Sequence, residues 1–285
     1  MSVSIRGIAK TMKSTSLMTQ TWSKSRWAMT DELNIPSLMY DYARNLPPKV
    51  ITKISPSQIG GCSRAHILKI WQVAELTPTN PGAILNMQTG FMWEQIIKDS
   101  LSQAHVPYLY QHKMVDEELN MEGTLDFGII TNGGKELEIW DSKTESSLAA
   151  RYRKGISYLE AHQDYVDQLN AYAIMAVRQG FKVKKGGFIV IHRDDSFIEQ
   201  VPFAFEMDKV AATMNKIKYL NHCLKEDILP ECDGKYCKIG LCGYGNPNTQ
   251  APNSKKKMVN TECCGTVEQI EQWRREANLI KESEK

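Results

Sequence analysis

The stretch GTLDFGIITNGGKELEIWDSKT, residues 123–144, constrains this chain more than any other. Two strand-forming runs flank Gly133-Gly134, a pair that takes positive φ at both positions and suits a two-residue hairpin turn. With that turn Asn132 faces Lys135 and, counting back along both strands, Asp126 faces Asp141. Directly opposed Cβ atoms lie roughly 4.5–5.5 Å apart on one face. Lys143 shares that face, because strand side chains alternate. Two carboxylates so close repel unless a cation joins them. Lys143 brings one positive charge against two negatives, so a hard divalent ion such as Mg²⁺ is the better complement. Taken singly, Asp141-Ser142-Lys143 reads as a surface ion pair. Its place across a turn from an Asp-bearing strand changes that reading.

The rest of the chain supplies a setting for such a site. Its 285 residues, 42% hydrophobic and 24% charged, can bury a core of one large or two small domains. No apolar run of about 18 residues is present, so no membrane span or membrane partner is expected. The net charge of +2 neither supports nor opposes nucleic-acid binding, since a near-neutral total can hide a basic groove. Residues 1–30 hold five basic residues, eleven Ser or Thr and no acid. They read as a basic arm, with an organellar import signal as the alternative.

Hydrophobic periodicity places the elements. A helix is expected from Ser57, as N-cap, through Ile67, Leu68, Ile70, Trp71 and Val73; a second covers residues 89–104, with Phe91, Ile96, Ile97 and Leu101 as its apolar set. Three strands follow at 112–118, 123–131 and 136–144, then a helix at 163–179. Two further strands, 186–193 and 196–205, precede a helix at about 206–224 and a cysteine-bearing, loop-rich stretch from Pro230. The end, residues 267–285, reads as a charged amphipathic helix. This order predicts an α/β fold with a mixed sheet flanked by helices. The expected division is an extension over 1–45, a main domain over 46–250 and a C-terminal loop and helix over 251–285.

Seven cysteines in a chain of this length, an odd number, fit metal ligation in a reducing cytosol better than a disulfide framework. Cys232, Cys237 and Cys242 recur at five-residue steps in a Gly-rich stretch. Three thiolates leave one ligand to be found. Cys62 upstream and Cys263 or Cys264 nearby are the candidates; Cys223 reads as a core residue.

GTLD followed by EIWDSKT resembles the core of the PD-(D/E)XK nuclease superfamily, and DQLNAYAIMA resembles the Gln-x-x-x-Tyr helix of its RecB-like branch. The resemblance covers roughly residues 55–245. It implies a restriction-endonuclease-like core acting as a Mg²⁺- or Mn²⁺-dependent deoxyribonuclease. Asp126, Asp141, the Ser142 carbonyl and an upstream Glu94 would be metal ligands, and Lys143 the base or transition-state stabiliser. Gln168 would position Lys143 or the phosphate, and Tyr172 would line the groove. SPSQIGGCSRAHI resembles the opening of the iron–sulfur members, the CRISPR-associated and AddB types, in which one early Cys and three late ones hold a cluster. Cys62, Cys232, Cys237 and Cys242 would then carry a 4Fe-4S cluster as a subdomain stapling the two ends, with zinc as the alternative. By family habit the substrate would be single-stranded DNA or a duplex end, cut exonucleolytically. The setting would be recombination, repair or replication, with protein partners from those processes, in a prokaryotic or phage-infected cytoplasm. A zinc-bearing endonuclease and a non-catalytic DNA-binding module are the alternatives. Arg64 and Trp93 are candidates for the DNA path, Trp93 equally for the core.

Protein purified without oxygen should be brown, absorb broadly near about 400 nm and contain about four irons with sulfide. A colourless protein with one zinc would move the fourth ligand toward Cys263 or Cys264.

Overall fold

The computed structural model describes residues 34–47, 50–73, 81–153 and 155–231. Its centre is a five-stranded sheet, and the order in space is the order in sequence. The strands are β1 (Tyr108–Asp116), β2 (Met121–Thr131), β3 (Glu136–Glu145), β4 (Lys182–His192) and β5 (Ile198–Ala204). All neighbours pair antiparallel except β3 and β4, which are parallel. A parallel pair needs a crossover, and α5 (Ser147–Tyr152), α6 (Tyr158–Ala161) and α7 (Gln163–Arg178) provide it. The expected mixed α/β sheet flanked by helices is what the chain forms.

The β2–β3 connection keeps the expected register by a different turn. Phe127 pairs with Trp140 and Thr131 with Glu136, in step with an Asp126–Asp141 juxtaposition. The connection, however, is a 3₁₀ turn over Asn132–Gly134, with Asn132, Gly133 and Gly134 all at positive φ, rather than a two-residue loop. Widening the loop by one residue on each side leaves the register unchanged, which is why the pairing survives the correction.

The helix expected from Ser57 is broken. Ser55 is the N-cap of a short α2 (Pro56–Ile59), and α3 (Ser63–Ile70) starts afresh after Gly60-Gly61, with Cys62 at its N-cap. Packing enforces the break. A Cβ on Gly60 would lie 2.2 Å from the Cα of Asp164 on α7, so only glycine allows the two backbones to approach. Lys216 of α8 (Met207–Lys225) donates to the Gly61 carbonyl at 2.9 Å.

One face of the sheet carries the main core. Leu137, Ile139, Phe188 and Val190 pack beneath Leu169, Tyr172, Ala173 and Met175 of α7, and Ile217, Leu220 and Cys223 of α8 close it. Cys223 is fully buried, the core role expected of it. Gly180, at φ 92°, follows the end of α7 and suits the left-handed position there. Arg178 in its last turn is ion-paired with Asp116 and Glu118, fixing the helix to the end of β1.

The other face meets α4 (Pro81–Gln103), which is unlike an ordinary amphipathic helix. Its one buried residue is Glu94, whereas Phe91 and Ile96, two of its expected apolar set, are both 51% exposed. Between α4 and the sheet lies a cavity of about 460 Å³ lined by Trp93, Ile97, Leu101, Phe127, Trp140 and Ile189 among others. The helix α1 (Ile35–Arg44), within the stretch read as an extension, packs against α4. Among the described residues no helix is long and apolar enough to cross a membrane.

His66 accepts a hydrogen bond from the Ser55 backbone at 3.1 Å and is buried. Burial first, then the charges of Lys216 and Lys69, push its pKa from 6.5 down to about 3. Below pH 6.5 the unfolded chain takes up a proton that the folded one refuses, so this stability is present above that pH and lost toward pH 3. Between about pH 7 and 5.5, urea unfolding should show the native protein losing about 1 kcal/mol more than His66→Gln, which keeps an acceptor without the titration. Equal losses would show that His66 is not buried neutral.

Candidate functional site

Five segments converge at the middle of the sheet. β3 delivers Asp141 and Lys143, its parallel partner β4 sets Phe188 and Val190 beside them, β2 delivers Asp126, and α4 and α7 deliver Glu94 and Gln168. Asp141 is 2% exposed and must be compensated. Its Oδ1 accepts a 2.7 Å hydrogen bond from Gln168 Nε2, and its Oδ2 is ion-paired with Lys143. Lys143 also donates to Gln168 Oε1 at 3.5 Å, so the amide bridges acid and base. The Tyr165 ring lies 4.7 Å from the ammonium, adding a cation–π contact.

The other two acids are held separately. Asp126 Oδ2 accepts the Ser142 backbone N–H at 3.1 Å. Glu94 Oε2 accepts from Gln111 Nε2 at 2.5 Å, with Glu94 itself buried. Gln111 reaches it from a kink in β1, where its φ is 46°.

Charge is crowded here. Burial, then the neighbouring Asp141, raise the Asp126 carboxyl well above its ordinary range; Glu94 adds to the rise, and Lys143 and the Ser142 bond oppose it. Glu94 is raised chiefly by burial, against hydrogen bonds from Gln111 and Ser142. Burial works against the Lys143 ammonium, yet Asp141 and Asp126 outweigh it and hold its pKa above the ordinary value. Three acids thus share one lysine.

The sequence-expected residues Glu94, Asp126, Asp141, Lys143 and Gln168 therefore come together. Ser142, expected to offer its carbonyl, ties the acids through its N–H to Asp126 and its hydroxyl to Glu94. Tyr172, expected to line a groove, is 3% exposed and donates to the Thr124 carbonyl at 2.6 Å. It props β2 from inside the core, because its position four residues after Gln168 points it to the same buried helix face. Trp93 lines the cavity between α4 and the sheet. Arg64 does not face the site; it donates to the Pro230 carbonyl at 3.2 Å. Cys62 is buried, while Cys232, Cys237, Cys242, Cys263 and Cys264 lie outside the described residues. Sequence reasoning missed Gln111 and Tyr165. Tyr165, one turn before Gln168, could have been found from that spacing; Gln111 depends on a strand kink with no sequence signal.

Among the described residues no three His, Cys, Asp or Glu side chains are gathered as a metal-ligand group. The carboxylate oxygens are instead turned to Lys143, Gln168, Gln111 and Ser142.

No protein-family model and no curated protein matches the chain. Among solved structures, the one titled "Crystal structure of SSO0001" is similar at 16% identity and a TM-score of 0.40, over 65% of this chain and 86% of that one. At that score the likeness decides neither fold family nor function.

Gln168→Leu fills the same volume but leaves Asp141 Oδ1 without its donor. It should cost about 1–3 kcal/mol in urea unfolding. A variant as stable as the native chain would show that Asp141 does not depend on the amide.

Proposed function

We propose that the chain is a divalent-metal-dependent nuclease with a restriction-endonuclease-like core, hydrolysing DNA phosphodiesters. The observation that carries this is the convergence of Glu94, Asp126 and Asp141 around a single Lys143. Such an excess of buried carboxylate favours a hard cation, and all the available donors are oxygens, as Mg²⁺ or Mn²⁺ requires. Glu94, Asp126, Asp141 and the Ser142 carbonyl would hold the ion. When bound, it would neutralise charge on the attacked phosphate and acidify a water.

The chain's own residues do the rest. Lys143 is an ammonium between two acids, so its role is to donate hydrogen bonds to a phosphate oxygen as negative charge develops, rather than to remove a proton. Gln168 holds it in place by its carbonyl, leaving two of the three ammonium protons for Asp141 and substrate. Burial of Asp141 and Glu94 keeps bulk water from screening these charges.

For an iron–sulfur staple through Cys62, Cys232, Cys237 and Cys242, with zinc as the alternative, the support is one contact. Arg64, two residues after Cys62, is hydrogen-bonded to Pro230, two residues before Cys232. The two ends of the domain meet there. The proposed setting is DNA recombination, repair or replication in a prokaryotic or phage-infected cytoplasm.

Asp126→Ala and Lys143→Ala should each lower cleavage of labelled DNA in Mg²⁺ or Mn²⁺ by about a thousandfold or more, while DNA affinity stays within about threefold. Cleavage unchanged in either variant would overturn the site.

A further inference from the structure

We infer that Arg153 binds the backbone phosphate next to the scissile one, as the second cation of a phosphate track that begins at Lys143; this rests on the nuclease reading above. The track starts from one strand face. Asp141, Lys143 and Glu145 alternate along β3 and share a face, with Lys143 and Glu145 roughly 6.8 Å apart along it. Each outer acid holds a cation. Asp141 is ion-paired with Lys143, and Glu145 Oε1 accepts from Arg153 at 2.9 Å. In both pairs the acid is the deeper member. The side chains of Asp141 and Glu145 are 2% and 11% exposed, against 21% for Lys143 and 16% for Arg153. The two cations therefore keep an accessible edge above buried carboxylates.

An aromatic wall ties the second cation to the first. The Arg153 guanidinium lies 5.0 Å from the Tyr158 ring, Tyr158 packs on Tyr165 at 6.4 Å, and Tyr165 carries the Lys143 ammonium at 4.7 Å. His162, stacked on Tyr165 at 4.9 Å, feels the charges of Glu145, Arg153 and Lys143 alike. The location suits a ligand. Glu145 and His192 are register partners at the carboxyl ends of the parallel strands β3 and β4, the edge at which open α/β sheets take ligands. The residue chemistry selects phosphate. A guanidinium has five N–H donors in a rigid fork, so pairing one nitrogen with Glu145 leaves others for the two free oxygens of a phosphodiester. With the scissile phosphate at Lys143, two residues along the strand is the scale of one sugar, and the next phosphate falls at Arg153. Glu145 is not stranded when Arg153 leans toward DNA. His192 Nε2, buried and without a hydrogen bond among the described residues, stands 3.7 Å from the same oxygen.

The test is a cycle on the flanking phosphate, run on the full chain in Mg²⁺. kcat/KM is measured for labelled oligo(dT), alone or paired with oligo(dA). It is measured again for the same strand with alternate phosphates replaced by neutral methylphosphonates, so that every cleavable phosphate has uncharged neighbours. Arg153→Ala should lower kcat/KM on the normal strand about tenfold or more, chiefly through KM, and by less than about twofold on the alternating strand. Arg153→Lys keeps the charge and loses the fork, so it should fall between; it replaces Arg153→Ala in the cycle if thermal melting shows the alanine variant unfolded. Glu145→Gln frees the guanidinium from a competing carboxylate and should tighten oligo(dT) binding, read by anisotropy in Ca²⁺, whereas an ion pair that serves the fold alone gives no tightening. If the alternating strand resists the native protein, the sign of the Glu145→Gln effect decides. A loss in the Arg153 variant that is equal on both strands or absent from both, or a Glu145→Gln protein that binds no more tightly, overturns the phosphate contact while native cleavage keeps the nuclease reading. A native protein that cuts no DNA, single-stranded or duplex, overturns both.

Discussion

Everything at the centre of this molecule depends on a carboxylate that water cannot reach. Asp141 is 2% exposed, in the middle of a strand with partners on both sides. An isolated charge there would be untenable. It is tolerated because Lys143 comes from the same face of the same strand and Gln168 from the covering helix, each on one oxygen. The amide then closes the loop to the ammonium. Strand β3, its parallel neighbour β4 and the crossover helix α7 are therefore bound to one another by polar as well as apolar contacts. Displacing α7 would cost the core of Leu169 and Met175 and also remove the Gln168 hydrogen bond from Asp141 Oδ1.

The same constraint explains why the three acids are a loaded arrangement rather than a resting one. Asp126 and Glu94 both resist ionisation, first because they are buried and then because each feels the charge of Asp141. This crowding of three acids around one lysine is the observation on which the proposed divalent cation rests. Over the sheet, α4 buries Glu94 and lays Trp93, Ile97 and Leu101 along the cavity, while Phe91 and Ile96 are half exposed.

Much of this was legible in the chain itself, for identifiable reasons. Period-2 alternation sets which side chains share a strand face, and turn residues set register, so Asp126, Asp141 and Lys143 could be placed together without coordinates. The turn type was misjudged, yet a symmetric widening of the loop preserves the pairing. Gln168 and Tyr172 followed from helical spacing, although spacing does not tell a groove-lining tyrosine from one buried under β2. For α4, periodicity reports which residues form the apolar set and not what that set meets, so the exposure of Phe91 and Ile96 could not be read from it.

The sequence by itself determined the order of strands and helices, the hairpin register and the identity of the central acids and lysine, since those follow from local alternation and spacing. Only the tertiary structure decided that Gly60-Gly61 must break a helix, that Gln111 and Tyr165 serve Glu94 and Lys143, and that Phe91 faces out. Each of these depends on the approach of segments far apart in the chain: α2 against α7, a kinked β1 against α4, α7 over β3. Such contacts are set by packing of the whole, and no window of residues contains them.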